Sequence, residues 1–123
     1  MNAPLGEVDG PPLTDYCARY HRAAELIGRR WASSILRVLI VKPRRFNELL
    51  HAIPGLSDRL LTERLRDLEE AGLVQRSPTT SPGAFVEYRL TPAGTSLGQV
   101  VAALKSWVEE WMPAEGWPQS EHE

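Results

Sequence analysis

The stretch RFNELLHAIPGLSDRLLTERLRDLEEAG, residues 45–72, decides the fold. Phe46, Leu49 and Leu50 share one face of a short helix, with Asn47 and Glu48 on the exposed side. Ala52-Ile53-Pro54-Gly55-Leu56 breaks that pattern. Ser57 is a good helix cap, and Asp58 falls in the first turn, where the helix dipole favours an anion. Leu61, Leu65 and Leu68 then step by four and three along one face, and Gly72 ends the run. The pattern predicts a short helix, a Pro-Gly turn and a longer helix in immediate succession.

Upstream, Tyr20, Ala23, Ala24 and Ile27 recur at the spacing of one helical face. Thr14 or Asp15 is expected to cap that helix and Gly28 to stop it. A second helix carries Trp31, Ile35, Val38 and Leu39, and ends by Lys42 because the residue before Pro43 is driven out of the α region. Downstream the period changes. Residues 73–76 and 85–90 read as strands, the second alternating Val86, Tyr88 and Leu90 against Glu87 and Arg89. The turn formers of residues 77–84 make this a hairpin with a long tip. A last helix is expected from Pro92 to Trp111, capped by Thr91, with Pro92 at its first position. Leu97, Val101, Leu104, Val108 and Trp111 run along it near a period of 3.5, flanked by Val100 and Trp107. That is more apolar surface than one side of a small domain needs. Residues 1–12 are expected to be a loose arm, 13–112 a single domain and 113–123 a polar tail.

Three helices followed by a hairpin outline a winged helix-turn-helix, so the expected fold class is mainly α with a β-hairpin wing. Burying Leu61, Leu65 and Leu68 against the two preceding helices frees the opposite face to enter a DNA major groove. Ser57, Arg59, Thr62, Glu63 and Arg66 lie on that face and form the candidate base-facing set. Arginine grips guanine O6 and N7, glutamate accepts from cytosine N4, and threonine touches the thymine methyl. The competing reading of Arg66 is an ordinary i, i+4 pair with Glu70, and of Arg64 a pair with Asp67. Arg44, Arg45 and Asn47, at the start of the preceding helix, are candidate phosphate contacts beside free backbone N–H groups.

Charge agrees with this placement. The chain is weakly acidic, at −2. Residues 29–76 nevertheless hold ten Lys/Arg against six acids, while residues 1–28 hold two against four and residues 77–123 two against six. A basic centre between acidic flanks suits local binding of a polyanion. The run Val38-Leu39-Ile40-Val41 is too short to span a membrane, and the first sixteen residues lack the apolar core of a signal peptide, so a cytoplasmic location is expected. His21, His51 and His122 form no paired metal motif, and no phosphate loop or nucleophile elbow is present. No catalytic residue, metal or cofactor is therefore expected.

The spaced motifs Leu26-Ile27-Gly28-Arg29-Arg30-Trp31, Arg45-Phe46-Asn47-Glu48-Leu49, Pro54-Gly55-Leu56-Ser57 and Leu60-Leu61-Thr62-Glu63-Arg64-Leu65 resemble HxlR-type transcriptional regulators. So do Leu68-Glu69, Gly72-Leu73-Val74, Val86-Glu87-Tyr88 and Leu90-Thr91-Pro92-Ala93-Gly94, over about residues 17–111 in all. The resemblance implies a homodimer that binds double-stranded operator DNA, here expected to be a repressor. It implies dimerisation through the first and last helices, with Tyr16, Tyr20, Leu97, Val101, Leu104, Trp107, Val108 and Trp111 at the interface. The family often has Pro-Arg before the Val-Glu-Tyr strand, its arginine reaching the minor groove. Here those positions are Ala84 and Phe85, so wing contact falls to hydroxyls at the tip, with Thr79 and Thr80 as phosphate donors.

Cys17 is the single cysteine, which excludes an intramolecular disulfide framework. Many relatives carry a cysteine here, and in a subset it senses oxidants or electrophiles. Arg19 or Arg22 beside the thiol would favour that reactivity; the competing reading is an inert cysteine at the dimer seam. Tyr16, Tyr20, Trp31, Trp107 and Trp111 likewise carry two readings, dimer core or a pocket at the interface for a hydrophobic small-molecule effector.

Overall fold

A computed structural model describes residues 17–78 and 85–115. The chain runs α1 (Ala18–Gly28), α2 (Ala32–Val41), α3 (Phe46–Ala52), α4 (Asp58–Glu70), β1 (Val74–Pro78), β2 (Val86–Leu90) and α5 (Pro92–Trp111). The expected tip residues Thr79 and Thr80, and the expected cap residues Thr14 and Asp15, lie outside the described residues.

The core lies where α2, α3 and α4 meet. Ile35, Leu36, Leu49, Leu61, Leu65 and Leu68 are wholly buried there. All six are aliphatic side chains of the kind whose full burial stabilises by about 1.5–3 kcal/mol each. Leu73 and Val74 extend this core into the start of the hairpin, and Val101 extends it into α5. The turn between α3 and α4 is closed by Gly55 at φ +88°, a conformation that glycine adopts without strain. Its open α-carbon also admits the Trp31 ring, which a Cβ would meet at 3.4 Å.

The hairpin is antiparallel, in register from Val74 opposite Leu90 to Pro78 opposite Val86. β1 thus continues through Ser77 and Pro78 instead of ending at Arg76. Proline is tolerated there because β1 is an outer strand, whose unpaired side needs no N–H donor. On its other side β2 meets Arg44 in a one-residue bridge: the Arg44 N–H donates to Tyr88 O at 3.0 Å and the Tyr88 N–H to Arg44 O at 2.8 Å. This ties the wing to the segment entering α3.

The start of α5 is clamped to the root of the hairpin. Thr91 Oγ1 accepts from the Gly94 N–H at 3.0 Å and donates to Gly72 O at 2.6 Å, while the Thr91 N–H donates to Leu73 O at 3.0 Å. α5 then packs across α2, with Gly98 against Ile40.

Two features of the amino-terminal half depart from expectation. α1 begins at Ala18, with Cys17 in extended backbone and no side chain capping the helix. Trp31 is not a helical residue of α2 but its N-cap, in left-handed backbone at φ 75°. A non-glycine residue there costs about 1–2 kcal/mol, which the packing of its ring against Gly55 offsets.

Candidate nucleic-acid interface

α4 is fixed first by its amino terminus. Ser57 Oγ accepts from the Leu60 N–H at 3.1 Å, as the sequence predicts for a cap. With Leu61, Leu65 and Leu68 turned inward, Arg59, Thr62 and Arg66 are exposed and Glu63 is half-buried beside them. The Arg59 side chain is 88% exposed and its Nε lies 3.5 Å from Glu63 Oε2. Thr62 Oγ1 donates to Asp58 O at 2.9 Å, which holds its hydroxyl against the helix backbone. Arg66 makes no ion pair among the described residues, and the expected partnership with Glu70 does not form.

Arg64 has the opposite character. Its side chain is only 17% exposed; Nε donates to Arg30 O at 2.8 Å and a terminal nitrogen lies 3.1 Å from Asp67 Oδ2. Asp67 also pairs with Arg29 at 3.0 Å. The pairing of Arg64 with Asp67 agrees with the sequence reading. Its reach to the turn at residues 29–31 is non-local and was not legible. The network bolts the middle of α4 to the junction of α1 and α2.

At the start of α3, Arg45 and Asn47 are exposed. The expectation of free backbone N–H groups there needs correcting at one position. The Arg45 N–H donates to Glu48 Oε1 at 2.8 Å, so a carboxylate of the chain itself occupies that position. This hydrogen bond, helped by the charges of Arg45, Lys42 and Arg44, holds the Glu48 carboxyl below its ordinary pKa. The Arg45 guanidinium stacks over the Phe85 ring, 4.4 Å from its centroid. Phe85, where the resemblance leads one to expect arginine, thus supports a cation supplied by the residue that precedes α3. Arg44 is half-buried, and its Nε is enclosed without a hydrogen-bond partner among the described residues.

Sequence reasoning omitted Arg76 from the site. The hairpin register sets it opposite Tyr88, and it lines a groove of about 230 Å³ with Thr62, Arg66 and Glu69, between α4 and the wing. Only the strand pairing, which no local pattern states, could have placed it.

The terminal helices present a separate apolar surface. α1 has no buried residue, and Tyr20 is 75% exposed. On α5, Val100, Leu104, Trp107 and Trp111 are exposed, while Leu97 and Val108 are half-buried. Val101 needs correcting: at 3% exposure it belongs to the protomer's own core and has no surface left for a partner. Cys17 is half-buried at the start of α1, and Tyr16 lies outside the described residues.

A family model described as HxlR-like helix-turn-helix matches residues 26–116. The uncharacterized HTH-type transcriptional regulator YvaP of Bacillus subtilis is 33% identical over 99 residues, covering 80% of this chain and 92% of that protein. The structure of the reduced form of the transcriptional regulator YodB from B. subtilis superposes with a TM-score of 0.71 at 34% identity, covering 79% of this chain and 95% of YodB. The redox regulator HypR in its oxidized form gives a TM-score of 0.70 at 31% identity, covering 78% of this chain and 99% of HypR.

Proposed function

The chain belongs to the HxlR-like helix-turn-helix family of DNA-binding transcriptional regulators, and from that premise we propose that it acts as a homodimeric repressor reading operator DNA with the outward face of α4. The observation that carries this reading is the sorting of α4: every leucine turned inward is buried, and Arg59, Thr62 and Arg66 stand in solvent on the other side. Arg59, Glu63, Thr62 and Arg66 meet base edges, with Ser57 holding the helix entry. Arg45, Arg44, Asn47 and Arg76 serve the phosphates, and Thr79 and Thr80 add hydroxyls from the wing tip. The exposed apolar residues of α1 and α5 support association of two copies, which sets two α4 helices about 34–36 Å apart on a near-palindromic site.

The test is selection of bound sites from a random duplex pool, then anisotropy titrations of the selected duplex across salt concentrations. Arg59→Ala should cost about 1–3 kcal/mol and relax base preference at one position of each half-site. Arg45→Ala should weaken all sequences alike and lower the salt slope by about one. Absence of salt-dependent duplex binding would refute the reading.

A second reading concerns the signal. Cys17 stands half-buried at the head of α1, a helix with no buried residue, and HypR is a redox regulator of similar fold. Oxidation or alkylation of Cys17 would then act on the seating of α1. Diamide, reduced to its hydrazine as the Cys17 thiols of two chains join in an intersubunit disulfide, should change duplex affinity in the native chain and leave Cys17→Ser unaffected; equal responses would remove the thiol from the mechanism.

A further inference from the structure

Arg45, the N-cap of α3, stands where the helix-turn-helix meets the wing, and two neighbours bear on where its guanidinium lies. Its Nε is 3.9 Å from Glu48 Oε2, too long for a hydrogen bond, so that carboxylate restrains it only loosely. The other oxygen of Glu48 is taken by the Arg45 backbone N–H at 2.8 Å. The closer restraint comes from the wing. The guanidinium carbon lies 4.4 Å from the centroid of the half-buried Phe85 ring, within the range of a cation–π stack. The backbone brings the two together: three residues beyond Phe85, Tyr88 exchanges two backbone hydrogen bonds with Arg44. Ring and cation therefore sit on segments that the fold has already joined.

Stacking engages the flat face of a guanidinium and leaves its N–H donors, which lie in the plane, available to an acceptor. The terminal nitrogens of Arg45 make no hydrogen bond or ion pair among the described residues, and the side chain is 49% exposed. A solvated arginine loses its rotamer freedom when a phosphate fixes it, and that loss subtracts from affinity. An arginine already stacked on a ring has given up much of that freedom in the fold.

We infer that Phe85 is a positioning residue for DNA, its ring holding the Arg45 guanidinium flat so that the terminal nitrogens grip one backbone phosphate. The inference rests on the DNA-binding reading and adds to it a residue that acts only through Arg45. Because a phosphate carries no base identity, the contribution of Phe85 is the same on every sequence. Leucine in its place keeps apolar bulk and loses the ring quadrupole that attracts the cation.

The full chain is tested in two ways. Without DNA, nuclear Overhauser effects should connect the Phe85 ring protons to the Arg45 Hδ protons in the native chain; their absence would overturn the placement whatever the duplex measurements show. With a selected duplex, anisotropy should show Phe85→Leu weakening binding about two- to fivefold, the size that an exposed cation–π contact implies, and weakening a scrambled duplex by the same factor. Phe85→Tyr, which keeps the ring, should retain native affinity. In an Arg45→Ala background, Phe85→Leu should cost nothing further. A merely structural Phe85 would weaken both backgrounds alike, and that result would overturn the positioning role. So would native affinity in Phe85→Leu, a loss confined to the selected duplex, or a tyrosine variant no better than leucine. Failure of the native chain to bind any duplex refutes the DNA-binding reading and with it the phosphate role, while the Overhauser effects still decide whether the ring holds the cation.

Discussion

Three glycines give the sharpest test of how α5 is seated, because one chemical change meets three different surroundings. A Cβ added at Gly94 would lie 2.0 Å from Leu73 O and 2.9 Å from Leu73 C. Both are backbone atoms, so the first turn of α5 must move by about 1 Å to restore ordinary contact, an overpacking that costs about 1–3 kcal/mol. The same Leu73 O accepts from the Thr91 N–H, and moving α5 stretches that bond, adding about 1 kcal/mol. Gly94→Ala is therefore expected to destabilise by about 2–4 kcal/mol. At Gly98 the clash is with Ile40 Cδ1 at 2.5 Å, the end of a flexible side chain that can turn away. Relief of the glycine's helix penalty, about 1 kcal/mol, offsets most of that cost. Gly98→Ala should fall within about 1 kcal/mol of the native chain. At Gly28 nothing lies within 4 Å of the added atom, and alanine should stabilise by about 0.4–1 kcal/mol. Urea unfolding followed by circular dichroism, at one protein concentration because association shifts the midpoint, would rank the three. With a urea m-value of about 2 kcal/mol/M, the Gly94→Ala midpoint should drop by about 1–2 M. A Gly94→Ala stability equal to that of Gly98→Ala would refute the seating of α5 against the Leu73 carbonyl.

Arg64→Met should destabilise by about 2–3 kcal/mol through loss of its charge-assisted bonds to Arg30 O and Asp67; a double-mutant cycle with Asp67→Asn that shows no coupling would contradict the network. Glu48 titrates below its ordinary value in the fold because it accepts the Arg45 N–H, so its contribution is present above the unfolded pKa and disappears as pH falls through the lowered one. Glu48→Gln should flatten the acid limb of stability against pH, and an unchanged limb would count against the cap. Leu104→Glu places a charge in the exposed apolar face of α5 and should raise the dimer dissociation constant at least about a hundredfold by sedimentation, about 3 kcal/mol, while leaving the protomer folded. A dimer of native affinity would move the interface elsewhere.

What could be read from the chain was whatever short range decides. α5 runs from Pro92 to Trp111 as the cap, proline and apolar period state, and Ser57 caps α4 for the same reason. Signals that depend on partners far along the chain were silent. Trp31 lies on the apolar face that α2 predicts, yet its left-handed backbone answers to Gly55 in a different turn. The Arg44 bridge to Tyr88 joins segments that no local pattern links, and with it comes the position of Arg76 beside α4. Val101 sits on the same sequence seam as Leu104. Only the crossing of α5 over α2 decides that one faces the core and the other the solvent.

The arginines of α4 show how packing converts a charge pattern into a capacity to bind. The sequence sets Arg59 and Arg66 on the outward face of one helix and Arg64 beside Asp67. The structure separates them by energy as well. Arg59 is held only by an exposed i, i+4 pair with Glu63, worth about 0.3–0.5 kcal/mol, and Arg66 has no ion pair among the described residues. Either can turn to a guanine at almost no cost to the fold. Arg64 would first have to leave a backbone carbonyl and a half-buried carboxylate, at about 2–3 kcal/mol, which cancels what one bidentate base contact, about 1–3 kcal/mol, returns. Its role is to hold the helix at a fixed angle to the α1–α2 turn, so that Arg59 and Arg66 need spend no free energy on orienting the element that carries them. On the proposed reading a base-reading arginine on this helix must therefore be one that the fold does not use, which favours Arg59 and Arg66 over Arg64.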